Sequence, residues 1–569
     1  MYRYQLTDTS SGHKTLLCQS DGQTIRLHSA YDPVKEATRQ VSSFDPGRAT
    51  HVIVCGLGLG YHLGAIRERF PDMELVIVEH DPAVIELAGK TNPGLLKNTF
   101  IINRPSQVQH VLEQVEISSF RGARVYRHRS SYQLYPGFYE AVASDIQQYF
   151  SSRISDLLTR FEFEKMWIRN IFSNMHNLVK GLPVQGLFGK FNSIPGIIIS
   201  AGPSLRHNIH HLQTLKDRAL LVSVDTALKP LLKVGITPHL VMTLDAQVHS
   251  IKHFLGTSVK DVLLLADVVS YPPLVRGHNG PTLFSTTAKY YNAPDGSLKR
   301  EATPVMDWIE EYIPRLGDIQ SGGSIATSAF DLMRNLGCDP VILVGQDLAY
   351  TGREIHCTGT HHNDEWVPAV NRIKNLDTIN QSVVRRRKIK YVPAFGDNGV
   401  VLTDFVLDLY RQWFADSAGK VPFKIINATG GGARIENTKE QSLEELASML
   451  PKQDKTPAMI LENYVSAAKP IKTEQVFSKM SHLAATIQHL RELASSNLDT
   501  DEKENMDELE KLLATDEMNI ILKPFLRKTL FYFNRHQDLP HQKKKDMLCA
   551  DIVDAADTLL PLLSKQGVL

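Results

Sequence analysis

Pro195-Gly196-Ile197-Ile198-Ile199-Ser200-Ala201-Gly202-Pro203-Ser204-Leu205 decides the fold of the largest part of this chain. An unbroken apolar run that ends in small residues and passes into helix-like sequence reads as a buried strand, a tight turn and a helix. Runs of the same kind follow at 220–224, 240–244, 262–265 and 341–344, with helical pieces around 204–215 and 325–336. Apolar strands alternating with helices predict a parallel sheet covered on both faces, an α/β nucleotide-binding architecture.

In an open parallel sheet the carboxyl ends of the strands converge on one crevice. Gly202, Pro203 and Ser204 form a small-residue turn at such an end. Free amides at the helix start favour an anion such as a nucleotide phosphate there, and Pro203 suits a first helical turn. The next two strands end in Asp225 and Asp245, placed to bond ribose or sugar hydroxyls. Aspartate at such a junction equally serves to cap the following helix, and both readings stay open. Ser321-Gly322-Gly323-Ser324 gives a second anion-cradling turn before a helix, and Gly345-Gln346-Asp347 delivers polar groups at another strand end. Asp347 too has a capping alternative. Any one of these glycines could simply turn the chain tightly; the set points to one nucleotide site.

Working outward, residues 1–48 read as a β-rich lead-in and 49–135 as a Rossmann-like domain. Residues 136–185 read as a helical connector, 186–437 as the central α/β nucleotide-binding domain and 438–569 as an all-α domain. Apolar stripes such as Val476, Met480, Leu483, Ile487 and Leu490 support the last assignment. Gly56-Leu57-Gly58-Leu59-Gly60 after a strand, with Glu79 closing the next, has the layout that binds an adenosine cofactor, and its spacing resembles methyltransferases that use S-adenosylmethionine. The alternative is a scaffold turn retained without a ligand.

At 569 residues the chain exceeds one hydrophobic core, so roughly three to four units are expected. A net charge of +1 supplies no basic field to draw in nucleic acid. Cys18, Cys55, Cys338, Cys357 and Cys549 form no C-x-x-C, which argues against disulfide and zinc frameworks and fits a reducing cytoplasm. No basic-then-apolar leader and no run of about 18 apolar residues occurs, so no membrane insertion is expected. Asp499-Thr500-Asp501 lies between helical stripes, not after a strand, and reads as a solvated loop rather than a metal site. His356, His361 and His362 lack helical i, i+4 spacing and read as part of a mobile loop over the site, with no metal. Arg385 to Lys388 read as a solvated basic patch, with phosphate contact as the alternative.

S-A-G-P-S-L at 200–205, D-T-A-L-K-P-L-L at 225–232, G-I-T-P-H-L-V-M-T-L-D at 235–245, S-G-G-S-I-A at 321–326 and G-Q-D-L-A-Y at 345–350 together resemble the central domain of bacterial motility accessory factors. That domain is also similar to an archaeal 6-hydroxymethylpterin diphosphokinase, and the resemblance covers roughly residues 160–435. It implies a sialyltransferase-like fold and transfer of a nonulosonic acid, pseudaminic or legionaminic, from a CMP-linked donor to flagellin Ser/Thr hydroxyls, a modification needed for flagellum assembly and motility. No cofactor is required in that reading. Gly202, Pro203, Ser204, Asp225, Ser321, Gly322, Gly323, Ser324, Gly345 and Gln346 are then expected to bind the donor, and Asp245, Asp347 and His356 to be catalytic. Related sialyltransferases use a histidine base, and His356 stands nearest the strand end at Gly345-Gln346-Asp347; the alternative is that all three histidines are surface residues. Two other readings remain: pyrophosphate transfer to a pterin, and a flagellin-binding chaperone without catalysis.

Overall fold

The computed structural model describes all residues except 1, 21–22, 98, 116–119, 258, 289, 293–296, 301–303, 398, 469–472, 500–502 and 565–569. Packing groups residues 1–164 with 524–551 as one unit and 165–523 with 552–569 as another.

The first unit begins with an antiparallel sheet of β1 (Arg3–Asp8), β2 (Lys14–Ser20) and β3 (Gln23–Arg26). A parallel sheet follows, built from β4 (His51–Cys55), β5 (Glu74–Val78), β6 (Thr99–Ile102) and β7 (Ala123–Arg127) in the order β6-β5-β4-β7. All of β4 is buried because alternate side chains enter different cores. Val52 and Val54 pack with Leu63 and Ile66 of the helix Tyr61–Arg69; Ile53 and Cys55 pack with Tyr139, Val142 and Ile146 of the long helix Pro136–Leu178. Residues 524–551 are held in this unit by Arg527 on Glu164 at 2.5 and 2.6 Å and by Phe531 edge-on to Phe161.

The second unit is built on a sheet of β8 (Gly196–Ile199), β9 (Leu220–Val224), β10 (Leu240–Thr243), β11 (Leu263–Asp267), β12 (Thr282–Thr287), β13 (Asp318–Ile319), β14 (Val341–Val344), β15 (Ile425–Asn427) and β16 (Lys439–Glu440). Its order is β13-β12-β11-β10-β9-β8-β14-β15-β16, and every one of these pairings is parallel. Apart from the short strand Leu182–Pro183, which pairs in parallel with β12, the chain starts in the middle at β8, adds strands outward to one edge, returns to the other side of β8 with β14, and continues to the opposite edge. From Leu443 onward the described elements are helices. The α/β class read from the sequence is the one observed, with two parallel sheets and a helical C-terminal region.

Asn170 and Asn174, buried on the long helix, donate to the carbonyls of Ala246, Val269, Val268 and Ser270. They satisfy backbone acceptors where β10 and β11 end, which fixes the loops there without further strands. Ile198, at the centre of β8, is fully buried with Ile197 and Ile199. Ile198→Ala is expected to cost about 2–5 kcal/mol of stability, through lost burial and the cavity left behind. A denaturant titration of the full chain measures this, and a loss below about 1 kcal/mol contradicts the placement of β8 at the core.

Candidate functional site

β8 and β14 are neighbours, but the chain leaves them toward opposite edges of the sheet. Their following loops diverge, and a crevice opens at that switch point, the place where open α/β sheets receive ligands. A cleft of about 230 Å³ lies there, lined by Gly202 and Pro203 after β8, Asp225 and Thr226 after β9, Ser324 to Ala326, Gly345 to Asp347 after β14, His356, and Leu407 and Tyr410.

The two central loops are tied together by Asp347. Its carboxylate accepts the Ser204 N–H at 3.1 and 3.2 Å and the hydroxyls of Ser204 and Thr351 at 2.6 Å each. The Gly202 N–H donates to the Gly345 carbonyl at 2.8 Å, and the Ser200 hydroxyl donates to the Gln346 side chain at 2.5 Å. This approach leaves no room for side chains: a Cβ on Gly202 would lie 2.1 Å from Asp347 Oδ1, and one on Gly345, at φ +65, 2.1 Å from the Ser200 carbonyl oxygen. Asp347, expected as catalytic, thus has its carboxylate occupied in holding the turn, and buried Ser204 is behind the cleft wall rather than on it. The helix after this turn is a single turn, Leu205–Asn208, and Pro203 precedes it instead of starting it. The open helix start foreseen at the first turn is therefore closed from inside.

The second turn is shifted as well. The Gly322 and Ser324 N–H groups donate to Thr327 Oγ1, Gly323 N–H donates to Ser321 Oγ, and Ser324 caps the helix Ile325–Leu336 in a reciprocal pair with Thr327. Ser321, Gly322 and Gly323 do not line the cleft, and a Cβ on Gly322 would strike the Trp413 ring. The cleft meets this helix one step later, at Ser324, Ile325 and Ala326, where the first amides of a helix have no intrahelical acceptor. Leu407 and Tyr410, from the helix Phe405–Ala418, complete the wall. No sequence feature marked them, because their helix lies more than fifty residues beyond β14.

Asp225 and Asp245, equivalent by sequence, are separated by the structure. Asp225 is buried at the cleft and accepts from Thr226 N–H at 2.7 Å, Thr226 Oγ1 at 3.1 Å and Thr243 Oγ1 of the next strand at 3.1 Å. Burial outweighs these donors and pushes its carboxyl up to about 7. Asp245 is exposed, lies off the cleft wall and accepts from the Gln247 N–H at 2.9 Å, the local turn-forming use of aspartate.

His356 lines the cleft on a segment tied to the first loop: Cys357 N–H donates to the Ala201 carbonyl at 2.9 Å, and Arg206 pairs with Glu354. Burial, with His362 facing it, pushes His356 down to about 3, so the ring is neutral at neutral pH. Arg385 to Lys388 are exposed, and of the D-x-D motif Asp499 ends the helix Thr473–Asp499 while Thr500 and Asp501 lie outside the described residues.

In the first unit the Gly-rich turn is filled by the protein. Glu79, 2% exposed, accepts from Leu57 N–H at 2.8 Å, Asp81 N–H at 3.1 Å and Tyr139 OH at 3.1 Å. His28 Nε2 accepts the Leu59 N–H at 2.7 Å, and a Cβ on Gly58 would come within 2.4 Å of that nitrogen. The carboxylate and amides that would hold an adenosine are engaged internally.

Buried Asp225 gives a signed pH dependence. Its folded pKa lies above its unfolded one, so between about pH 4 and 7 the native state holds a proton that the unfolded chain has lost, and stability falls as pH rises through that window. Asp225→Asn is expected to flatten that part of the stability-versus-pH profile, by an amount on the order of a few kcal/mol. Thermal unfolding of both proteins from pH 5 to 8 measures it; identical slopes contradict the burial argument.

Residues 169–353 match the family model described as 6-hydroxymethylpterin diphosphokinase MptE-like. Two uncharacterized proteins of Treponema pallidum (strain Nichols) are similar. One is 28% identical over 268 residues, 46% of this chain and 47% of that protein; the other is 23% identical over 248 residues, 39% and 61%. The chain thus spans about half the length of the curated relatives it matches. A solved MAf glycosyltransferase from Magnetospirillum magneticum AMB-1 superposes with a TM-score of 0.56 at 16% identity, covering 99% of this chain and 92% of that one. The resemblance to motility accessory factors therefore holds at the level of fold: this chain has the fold of a MAf glycosyltransferase, with a 6-hydroxymethylpterin diphosphokinase MptE-like segment at its centre.

Proposed function

We propose that this chain is a cytoplasmic glycosyltransferase that moves a nonulosonic acid, pseudaminic or legionaminic, from a CMP-activated donor to Ser/Thr hydroxyls of flagellin. The observation that carries the reading is the cleft at the β8–β14 switch point, which gathers a helix start, two glycine turns, a buried carboxyl and a neutral imidazole in a chain with this fold. The donor phosphate is received at Ser324, Ile325 and Ala326. Gly202 and Gly345 let the two loops close on each other to form the cleft wall, and Gln346 and Asp225 bond ribose or sugar hydroxyls. The acceptor oxygen bonds to the anomeric carbon, the bond from that carbon to the phosphate oxygen breaks, and CMP departs with the electron pair. His356, by its position on the cleft wall, receives the acceptor's proton. A monophosphate leaving group has no diphosphate for an ion to clamp, so the proposed step requires no cofactor.

The MptE-like match favours a second reading, pyrophosphate transfer from ATP to a pterin at the same cleft. Intact mass measurement of flagellin incubated with the full chain and a CMP-nonulosonic acid separates the two. The first reading expects a mass gain of one nonulosonic acid per site; no gain, together with ATP binding and no CMP binding, supports the second. His356→Ala is expected to lower transfer by about a hundredfold or more with CMP affinity unchanged, since a positioned base typically contributes roughly 10²–10⁴-fold. Near-normal turnover in that variant removes His356 from the proton's path.

A further inference from the structure

Beside the cleft, four imidazoles gather from separate stretches of chain. His361 and His362 open the helix His361–Trp366, His253 ends the short helix Val248–His253, and His356 comes from the segment before them. Ring centroids are 3.8 Å apart for His361 and His362, 4.1 Å for His253 and His361, and 4.8 Å for His356 and His362. Glu365 follows His361 by one helical turn, and one ligating atom each of His361, His362 and Glu365 lie within 4.8 Å of one another. Lys252 holds Glu365 through Oε1.

Hydrogen bonding does not account for this cluster. His361 is 5% exposed, and its Nδ1, like that of His253, is buried with no hydrogen-bond partner among the described residues. A buried nitrogen left without a partner is costly, and the Nδ1 of His361 lies in a ring whose neighbours are His362 and Glu365. Neutral imidazole with carboxylate is a donor set for zinc and similar divalent transition metals, which take three or four such ligands in a compact shell. A carboxylate ligand is commonly oriented by an outer partner, the position Lys252 holds on Glu365.

We propose that His361, His362 and Glu365 form a three-residue binding site for a zinc-class divalent cation, with the His253 ring packed edge-on against His361. The ion braces the start of the His361–Trp366 helix and fixes the plane of His362, on which His356 stacks with 9° between the rings. It thereby positions the cleft-lining imidazole and takes no part in the transfer step, so the inference stands or falls separately from the proposed reaction.

The test is calorimetric titration of the full, chelator-stripped chain with zinc, with cobalt(II) as a spectroscopic stand-in and thermal melting as a second readout. Stoichiometric zinc binding is expected, with a melting temperature that rises with zinc concentration. Exposed Glu365 and half-buried His362 allow variants that keep the fold. Glu365→Gln and His362→Ala are each expected to weaken zinc by more than about tenfold, while His210→Ala, outside the cluster, leaves affinity unchanged. Absence of stoichiometric zinc binding, or wild-type zinc affinity in Glu365→Gln and His362→Ala, overturns the proposal.

Discussion

The carboxylate of Asp347 is the constraint on which the candidate site depends. A parallel sheet whose order reverses at β8 and β14 guarantees only that two loops part company; it does not say how far. Here the loop after β14 reaches back across the gap and takes the amide and hydroxyl of Ser204, while Gly202 and Gly345 yield the space. Burial raises the pKa of that carboxyl, and donors from Ser204 and Thr351 oppose the rise, so the group trades hydration for a fixed set of hydrogen bonds. Lining residues from six stretches of chain then face one cleft across the loops that this clamp joins.

The two units show that one sequence sign can have different physical outcomes. Both carry a Gly-rich turn at the end of a parallel strand. In the first unit Glu79 and His28 occupy the turn from inside, and Gly58 is required by His28 rather than by a ligand. In the second, Asp347 closes the first turn, yet the space between the loops stays open because the strand order reverses there. Gly58, Gly202 and Gly345 each report a close approach; only the third dimension says what approaches.

Much of the fold was legible because buried parallel strands are written as continuous apolar runs, as at Leu220–Val224 and Val341–Val344. β12, Thr282–Thr287, escaped notice since its sequence T-L-F-S-T-T mixes hydroxyls with apolar side chains. The strand-end aspartates were legible as a pair but not as individuals: Thr243 of the neighbouring strand reaches the Asp225 carboxylate, whereas the Asp245 carboxylate accepts from Gln247 of its own turn. The mutual spacing of the three histidines carries no trace of Glu365 one turn beyond His361, or of His253 more than a hundred residues earlier. Contacts of that range depend on sheet order, which no local pattern encodes.

The central claim, that Asp347 shapes a nucleotide-binding cleft rather than performing chemistry, is tested most directly by titrating CMP into the Asp347→Ala variant of the full chain, with circular dichroism to verify that the sheet is retained. The clamp account predicts native secondary structure with CMP binding weakened by tenfold or more, since removing a buried charged acceptor costs roughly 1.5–3 kcal/mol at the loops it joins. Wild-type CMP affinity in the folded variant would contradict it.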